Sequence, residues 1–214
     1  CWLTFTLLPL LAASDEPPPL WSIGKPDGAT MEFAPGERGE LTFTIGQSVV
    51  SKDFAGHHGG SVGFDGKVLE KAYAIQFDLA EPPQGNYELV LDLIYSAGAP
   101  NQLKVAVNDR LGIFPIQPAA KRSTWGEEGN EMLLAKQHLV VPISGGMLRP
   151  AGNRISLIPL GLGALAYDAI AFRHASGPAP AAPRLEPTFF FRKRAGKLVE
   201  VCDLVVPFAK RFDQ

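Results

Sequence analysis

Two adjacent histidines, His57 and His58, lie in a glycine-rich run (SKDFAGHHGGSVGFDGK), with Asp53 and Asp65 close by in the chain. Imidazole and carboxylate are the groups that hold zinc or pass protons. Adjacent side chains on an extended segment point to opposite sides, however, so the pair is poorly disposed to share one ion. A solvated polar loop is the simpler reading. A second group surrounds Trp125 in KRSTWGEEGN, where Arg110, Lys121, Arg122, Glu127 and Glu128 are near in sequence. An aromatic ring covers the apolar C–H face of a sugar, while guanidinium, amide and carboxylate groups take its hydroxyls. The competing role for Trp125 is packing over a core edge, which is commoner for a large aromatic. The candidate ligand-contacting residues are therefore Trp125, His57, His58 and Arg110. No residue is assigned to catalysis or to a metal.

Other chemistries lack their motifs. The chain has no Ser-His-Asp order, no phosphate loop and no CxxC pair, so the sequence calls for no cofactor. Carboxylate pairs that cleave glycosidic bonds are defined by separation in space, which chain spacing does not fix. Twenty basic against 22 acidic residues give a net charge of −2. The longest basic run is Arg192-Lys193-Arg194, too short to neutralise a stretch of phosphates, and this excludes nucleic acid as a partner. Cys1 and Cys202 stand at opposite ends, so the region between them holds no disulfide pair.

The elements that would position these groups are short strands. Hydrophobic residues make up 46% of the chain, and 22 Gly and 19 Pro are scattered without a period, the mark of many turns. Residues 41–45 (LTFTI), 73–79 (YAIQFDL), 87–95 (YELVLDLIY), 103–107 (LKVAV) and 138–143 (HLVVPI) read as strands. In the third of these, Tyr87, Leu89, Leu91, Leu93 and Tyr95 share one face, the pattern of an antiparallel sheet with one buried side. Between the strands lie turns at Pro26-Asp27-Gly28, Pro82-Pro83-Gln84-Gly85-Asn86 and Ala97-Gly98-Ala99-Pro100-Asn101. The glycine-rich residues 46–72 read as a loop, and 127–136 as a segment with room for a helical turn or two. Residues 147–173 read as a polar turn, a strand over 154–160, a reversal through Gly161 and Gly163, and a closing strand over 167–172. The fold class that results is all-β, an antiparallel β-sandwich of jelly-roll type.

The ends are read by composition. Residues 2–13 (WLTFTLLPLLAA) have the length of a signal-peptide core and are too short to cross a bilayer as a helix. A signal peptide over residues 1–14, truncated at its start, is expected. The setting is then secreted or periplasmic, with no membrane span in the mature protein. The sandwich is expected over 20–174, a Pro/Ala linker over 175–184, and the start of a second, truncated β-rich domain over 185–214.

Four pieces in order resemble one family. Trp21-Ser22-Ile23-Gly24-Lys25-Pro26-Asp27-Gly28, followed by Glu32-Phe33, is similar to the W-x-I-G-x-x-D-G…E-F opening of domain III of rhamnogalacturonan lyases, polysaccharide lyase family 4. Val105-Ala106-Val107-Asn108 resembles that module's V-N-G strand end, with Asp109 in place of the glycine. Leu148-Arg149-Pro150-Ala151-Gly152-Asn153-Arg154-Ile155 resembles its L-x-x-G-x-N-x-I turn, and Tyr167-Asp168-Ala169-Ile170 its closing Y-D-x-I strand. The resemblance covers about residues 20–173 and implies a galactose-binding-like jelly roll. In those lyases a separate, larger N-terminal domain performs β-elimination, so the resemblance implies no lyase activity for this module. It implies a carbohydrate-binding-like accessory module of an exported polysaccharide-degrading enzyme. A polysaccharide or oligosaccharide, pectic chains among them, is the expected ligand, and a downstream catalytic domain in the same chain the expected partner. Two alternatives remain: a structural sandwich that packs on that domain, and a self-contained carbohydrate-active enzyme. Asp27, Gly28, Asn108, Gly152, Asn153 and Asp168 read as turn-forming residues that bond local backbone groups.

Overall fold

A computed structural model describes residues 16–62, 68–116, 121–124, 131–134, 137–175 and 184–205. In chain order the strands are β1 (Trp21–Gly24), β2 (Ala34–Glu37), β3 (Leu41–Thr44), β4 (Ala55–Gly59), β5 (Tyr73–Phe77), β6 (Asn86–Val107), β7 (Arg110–Pro115), β8 (Lys121–Thr124), β9 (Glu131–Leu134), β10 (Gln137–Ser144), β11 (Asn153–His174), β12 (Arg184–Arg194) and β13 (Lys197–Val205). One helical turn, α1 (Val50–Asp53), precedes β4.

The frame is the antiparallel pair β6–β11, each strand 22 residues long. Both pass from one layer of the sandwich to the other. In the first layer the Tyr87 half of β6 lies between β10 and the Phe172 half of β11, and β1 pairs with the far side of β11. In the second, the Val107 half of β6 lies between β7 and the Ile155 half of β11, which continues to β5 and β3. Pairing is antiparallel except for β2 with β4 and β3 with β5. The expected all-β sandwich is present, with mixed rather than purely antiparallel sheets.

The alternation read in residues 87–95 holds as far as side chains are described: Tyr87, Leu89, Leu91 and Leu93 are buried. They meet an aromatic core that bridges the layers. Trp21 lies 5.2 Å from Phe77, Phe77 lies 5.1 Å from Phe172, and Tyr87 stacks on Phe172 at 5.2 Å. A second cluster centres on Phe54, which touches Phe33, Phe43, Tyr73 and Tyr167. Each such ring, fully buried, contributes on the order of 2–3 kcal/mol of transfer free energy.

Four expectations are corrected. The turn at 97–101 and the reversal at Gly161 and Gly163 are both continuous strand, and they face each other: Gly98 pairs with Gly163 and Ala99 with Leu162. The glycines serve to bend the pair. Gly161 and Gly163 have φ of 93° and 132°, and the register shifts between Leu160 and Leu162. The backbone of residues 60–62 crosses this bend and satisfies it. Gly60 N–H donates to the Gly163 carbonyl (2.6 Å), Ser61 N–H to Pro159 (2.9 Å) and Val62 N–H to Gly161 (3.0 Å). The glycine-rich stretch is thus partly regular, holding α1 and β4, because its small residues allow close backbone approach. Within the segment expected to have helical turns, Glu131–Leu134 is a strand paired with β8.

The strand β12 pairs with β7 and with β13, so this hairpin continues the second layer. Phe190 is fully buried and its ring lies 5.7 Å from that of Phe114.

A Cβ on Gly60 would lie 2.1 Å from the Gly161 carbonyl oxygen, a backbone atom that cannot swing aside. Gly60→Ala is expected to lower the unfolding free energy by about 1–3 kcal/mol in urea titration. An unchanged midpoint would show that the crossing is not a tight contact.

Candidate functional site

At one end of the sandwich, four connections surround a cleft of about 690 Å3. Thr44, Ile45 and Gln47 come from the end of β3 and the turn after it. Gln76, Phe77 and Asp78 end β5, Asn108 and Asp109 form the β6–β7 turn, and Arg149, Gly152, Asn153 and Arg154 lead into β11. The floor is a network of amides. Asn108 occupies the left-handed region (φ 53°), which Asn tolerates better than most residues, and its Nδ2 donates to the Met147 carbonyl (2.7 Å) and to Asn153 Oδ1 (3.2 Å). Its Oδ1 accepts from Arg154 N–H at 3.0 Å. Asn153, almost fully buried, closes its own loop: Oδ1 accepts from Arg149 N–H and Nδ2 donates to the Arg149 carbonyl. Asp78 Oδ1 accepts from Gly152 N–H at 2.7 Å.

These bonds fix the turns and leave guanidinium, carboxylate and carboxamide groups around a space of ligand-site size. Such a set suits a ligand rich in hydroxyl groups. Phe77 also lines the cleft but is only 3% exposed, so it offers little ring face. Residues 19–172 match the family model described as CBM-like: polysaccharide lyase family 4, domain III. The chain belongs to that family. The match covers most of the chain, including all four quoted motifs, and bears out the resemblance. No curated protein matches the sequence. As a CBM-like domain, the chain is an accessory carbohydrate-binding-like module.

The sequence candidates are scattered over this CBM-like frame. Trp125, Asp65, Glu127 and Glu128 lie outside the described residues, and of Lys121 and Arg122 only the strand backbone of β8 is described. His57 and His58 do not converge on a common point. His58 is fully buried, its ring stacked 3.5 Å from Tyr73. Its Nε2 faces the Lys71 carbonyl (2.7 Å), which can only accept, so Nε2 carries the proton and Nδ1 accepts from the Tyr167 hydroxyl at 2.8 Å. Burial pushes its pKa down to about 3, against the opposing pull of the Lys71 hydrogen bond. Burial likewise raises the Tyr167 hydroxyl well above its usual value. This arrangement makes His58 a core ring. His57 is half-buried, and its carbonyl accepts from the Tyr73 hydroxyl at 2.6 Å. Asp53 accepts from Val49 N–H and holds the one-turn helix. Arg110 stands beside the cleft, its Nη1 3.2 Å from Oδ1 of Asp109.

The cleft itself escaped sequence reading, because its lining comes from four separated segments. A signal was present: Asn108, Gly152 and Asn153 belong to the quoted motifs. They are structural, as read, and they also shape the site.

Elsewhere, ligand atoms of Asp27, Glu32 and Asp168 lie within 4.8 Å of one another, the set of described residues that could hold a cation. Each carboxylate already has local work. Asp168 accepts from Gly28 N–H, Asp27 from Ala29 N–H and Glu32 from Lys25 N–H. The turn-tying role read for Asp168 is the one observed.

The state of His58 predicts a pH dependence. Its folded pKa lies below the ordinary 6.5, so its contribution is complete above 6.5 and is lost as pH falls toward about 3. Glu16, lowered by its hydrogen bond to Arg173, adds a loss only below its ordinary 4.5. Unfolding free energy is therefore expected to fall between pH 6.5 and 4.5, by up to about 1.4 kcal/mol per unit from one proton. Imidazole NMR should show His58 neutral at pH 4.5, and a His58 titration midpoint near 6.5 would contradict this.

Proposed function

We propose that this module binds oligosaccharide in the end cleft and serves, without catalysis of its own, an exported polysaccharide-degrading enzyme. The observation that carries the reading is the cleft: charged and carboxamide side chains converge on one space in a CBM-like domain. Hydroxyl-rich ligands are held by directed polar partners, and rigidly fixed turns lower the cost of ordering them. Export is supported by the apolar run over residues 2–13, and no helix among the described residues is long and apolar enough to cross a membrane. The catalytic partner is read as a downstream domain of the same chain, and pectic polysaccharide as the ligand. His57, Arg110 and Trp125 remain proposed secondary contacts.

Affinity electrophoresis on acidic and neutral polysaccharides, with glycan arrays, tests the reading. Wild-type protein is expected to be retarded by at least one glycan. Arg154→Ala is expected to weaken that binding roughly tenfold, the size of one lost charged hydrogen bond. A folded protein that binds no glycan on any of these supports would contradict it.

One observation favours a second reading, a sandwich that packs on a catalytic domain. The β12–β13 hairpin exposes Phe189 (63%), Leu198 (59%) and Leu204 (67%). Were that surface an internal interface, hairpin amides would exchange more slowly in the full-length enzyme than in the module alone. Equal exchange rates would remove this reading.

A further inference from the structure

The turn that closes the cleft between β6 and β7 carries an anion that is shared. Asp109 lines the cleft, and its Oδ1 lies 3.2 Å from Arg110 Nη1 while its Oδ2 lies 2.9 Å from Arg192 Nε. The two arginines are direct cross-strand partners in the β7–β12 register. Like charges placed opposite each other repel, and the carboxylate between them is the counter-ion that offsets this. Arg192 comes from β12, beyond residues 19–172 that match the family. Asp109 in turn stands where the resembled V-N-G strand end has glycine. The chain therefore brings a cation from outside the matched module to an anion at the rim of its cleft.

That pairing offsets one of the negative charges at the site. Of the two carboxylates lining the cleft, Asp78 is held by the Gly152 N–H and Asp109 by two guanidiniums. The two lining cations are freer. Arg149 forms no ion pair among the described residues, and the Arg154 guanidinium donates from Nε to Ser156 Oγ at 3.3 Å. We propose that Arg192 is a specificity-determining residue: by engaging Asp109 it leaves the cleft net cationic and selects oligosaccharides that carry carboxylates over neutral ones. This rests on the reading of the cleft as the sugar site. Arg192 acts through Asp109 and is a positioning residue, half-exposed at 55%, so its effect is modest and salt-sensitive.

The test uses trigalacturonate and the same trisaccharide with its carboxylates reduced to hydroxymethyl groups, titrated calorimetrically into wild type, Arg192→Gln, Asp109→Asn and the double variant. Phe190 and the β7 pairing keep the hairpin docked in Arg192→Gln, and near-UV circular dichroism checks that. Arg192→Gln is expected to weaken the uronate about two- to fivefold at low salt and to leave the reduced probe unchanged. The loss should shrink in 0.5 M salt, on the order expected when the screening length falls to a few ångströms. In the Asp109→Asn background the Arg192→Gln effect should fall by at least about half, because the two residues act as one unit. Equal weakening of both probes, or no change in their ratio, overturns the proposal while leaving the cleft reading intact. Failure of wild type to bind either probe overturns the proposal, and failure on every glycan support overturns the cleft reading as well.

Discussion

The pairing of β6 with β11 is the constraint on which the rest of the molecule depends. Two antiparallel strands, each 22 residues long, have to serve both layers of a sandwich, so both must bend at the same level. The sequence meets that demand with glycine against glycine, Gly98 opposite Gly163, and with positive φ at Gly161. A bend costs ladder hydrogen bonds, and the backbone of residues 60–62 laid across it restores them. That crossing requires Gly60, and it anchors β4, which carries His58 into the core against Tyr73 and Tyr167.

The same pair sets the cleft. At its open end, where Val107 faces Ile155, the register runs directly into the Asn108–Arg154 backbone bond and the Asn108–Asn153 amide network. Side chains of Arg154, Asn108 and Asp109 are positioned by that register rather than by the loops alone. At the opposite end of the strands Arg173, nearly buried, pairs with Glu88 and Glu16 and ties the N-terminal segment to the sheet. Rigid strands thus hold both ends, which is how a surface made of turns is kept in one geometry.

Much of the frame was legible in the chain. Alternation over 87–95 named the buried face, and Asp27 and Asn153 did the local bonding expected of them, whereas Asn108 and Asp168 bond backbone 39 and 140 positions away. What misled were glycines. Locally, Gly98 and Gly161 signal a turn as strongly as Gly28 does, and only the facing strand shows that they bend a ladder instead of ending it. His58 misled for the same reason: the partners that make it a core residue, Tyr167 and Lys71, are 109 and 13 positions away. The cleft was illegible because each of its segments contributes two or three ordinary polar residues, and their convergence is a property of topology alone.

We read the end cleft of this CBM-like sandwich as its sugar site. Amide chemical-shift mapping by NMR during titration with an oligosaccharide that the protein binds tests it most directly. The largest shifts are expected on Gln47, Asp78, Asn108, Asp109, Gly152 and Arg154, with the β10 face silent. Shifts centred on β10, on the β12–β13 hairpin tip or on the stretch around Trp125, with the cleft amides unmoved, would contradict that reading.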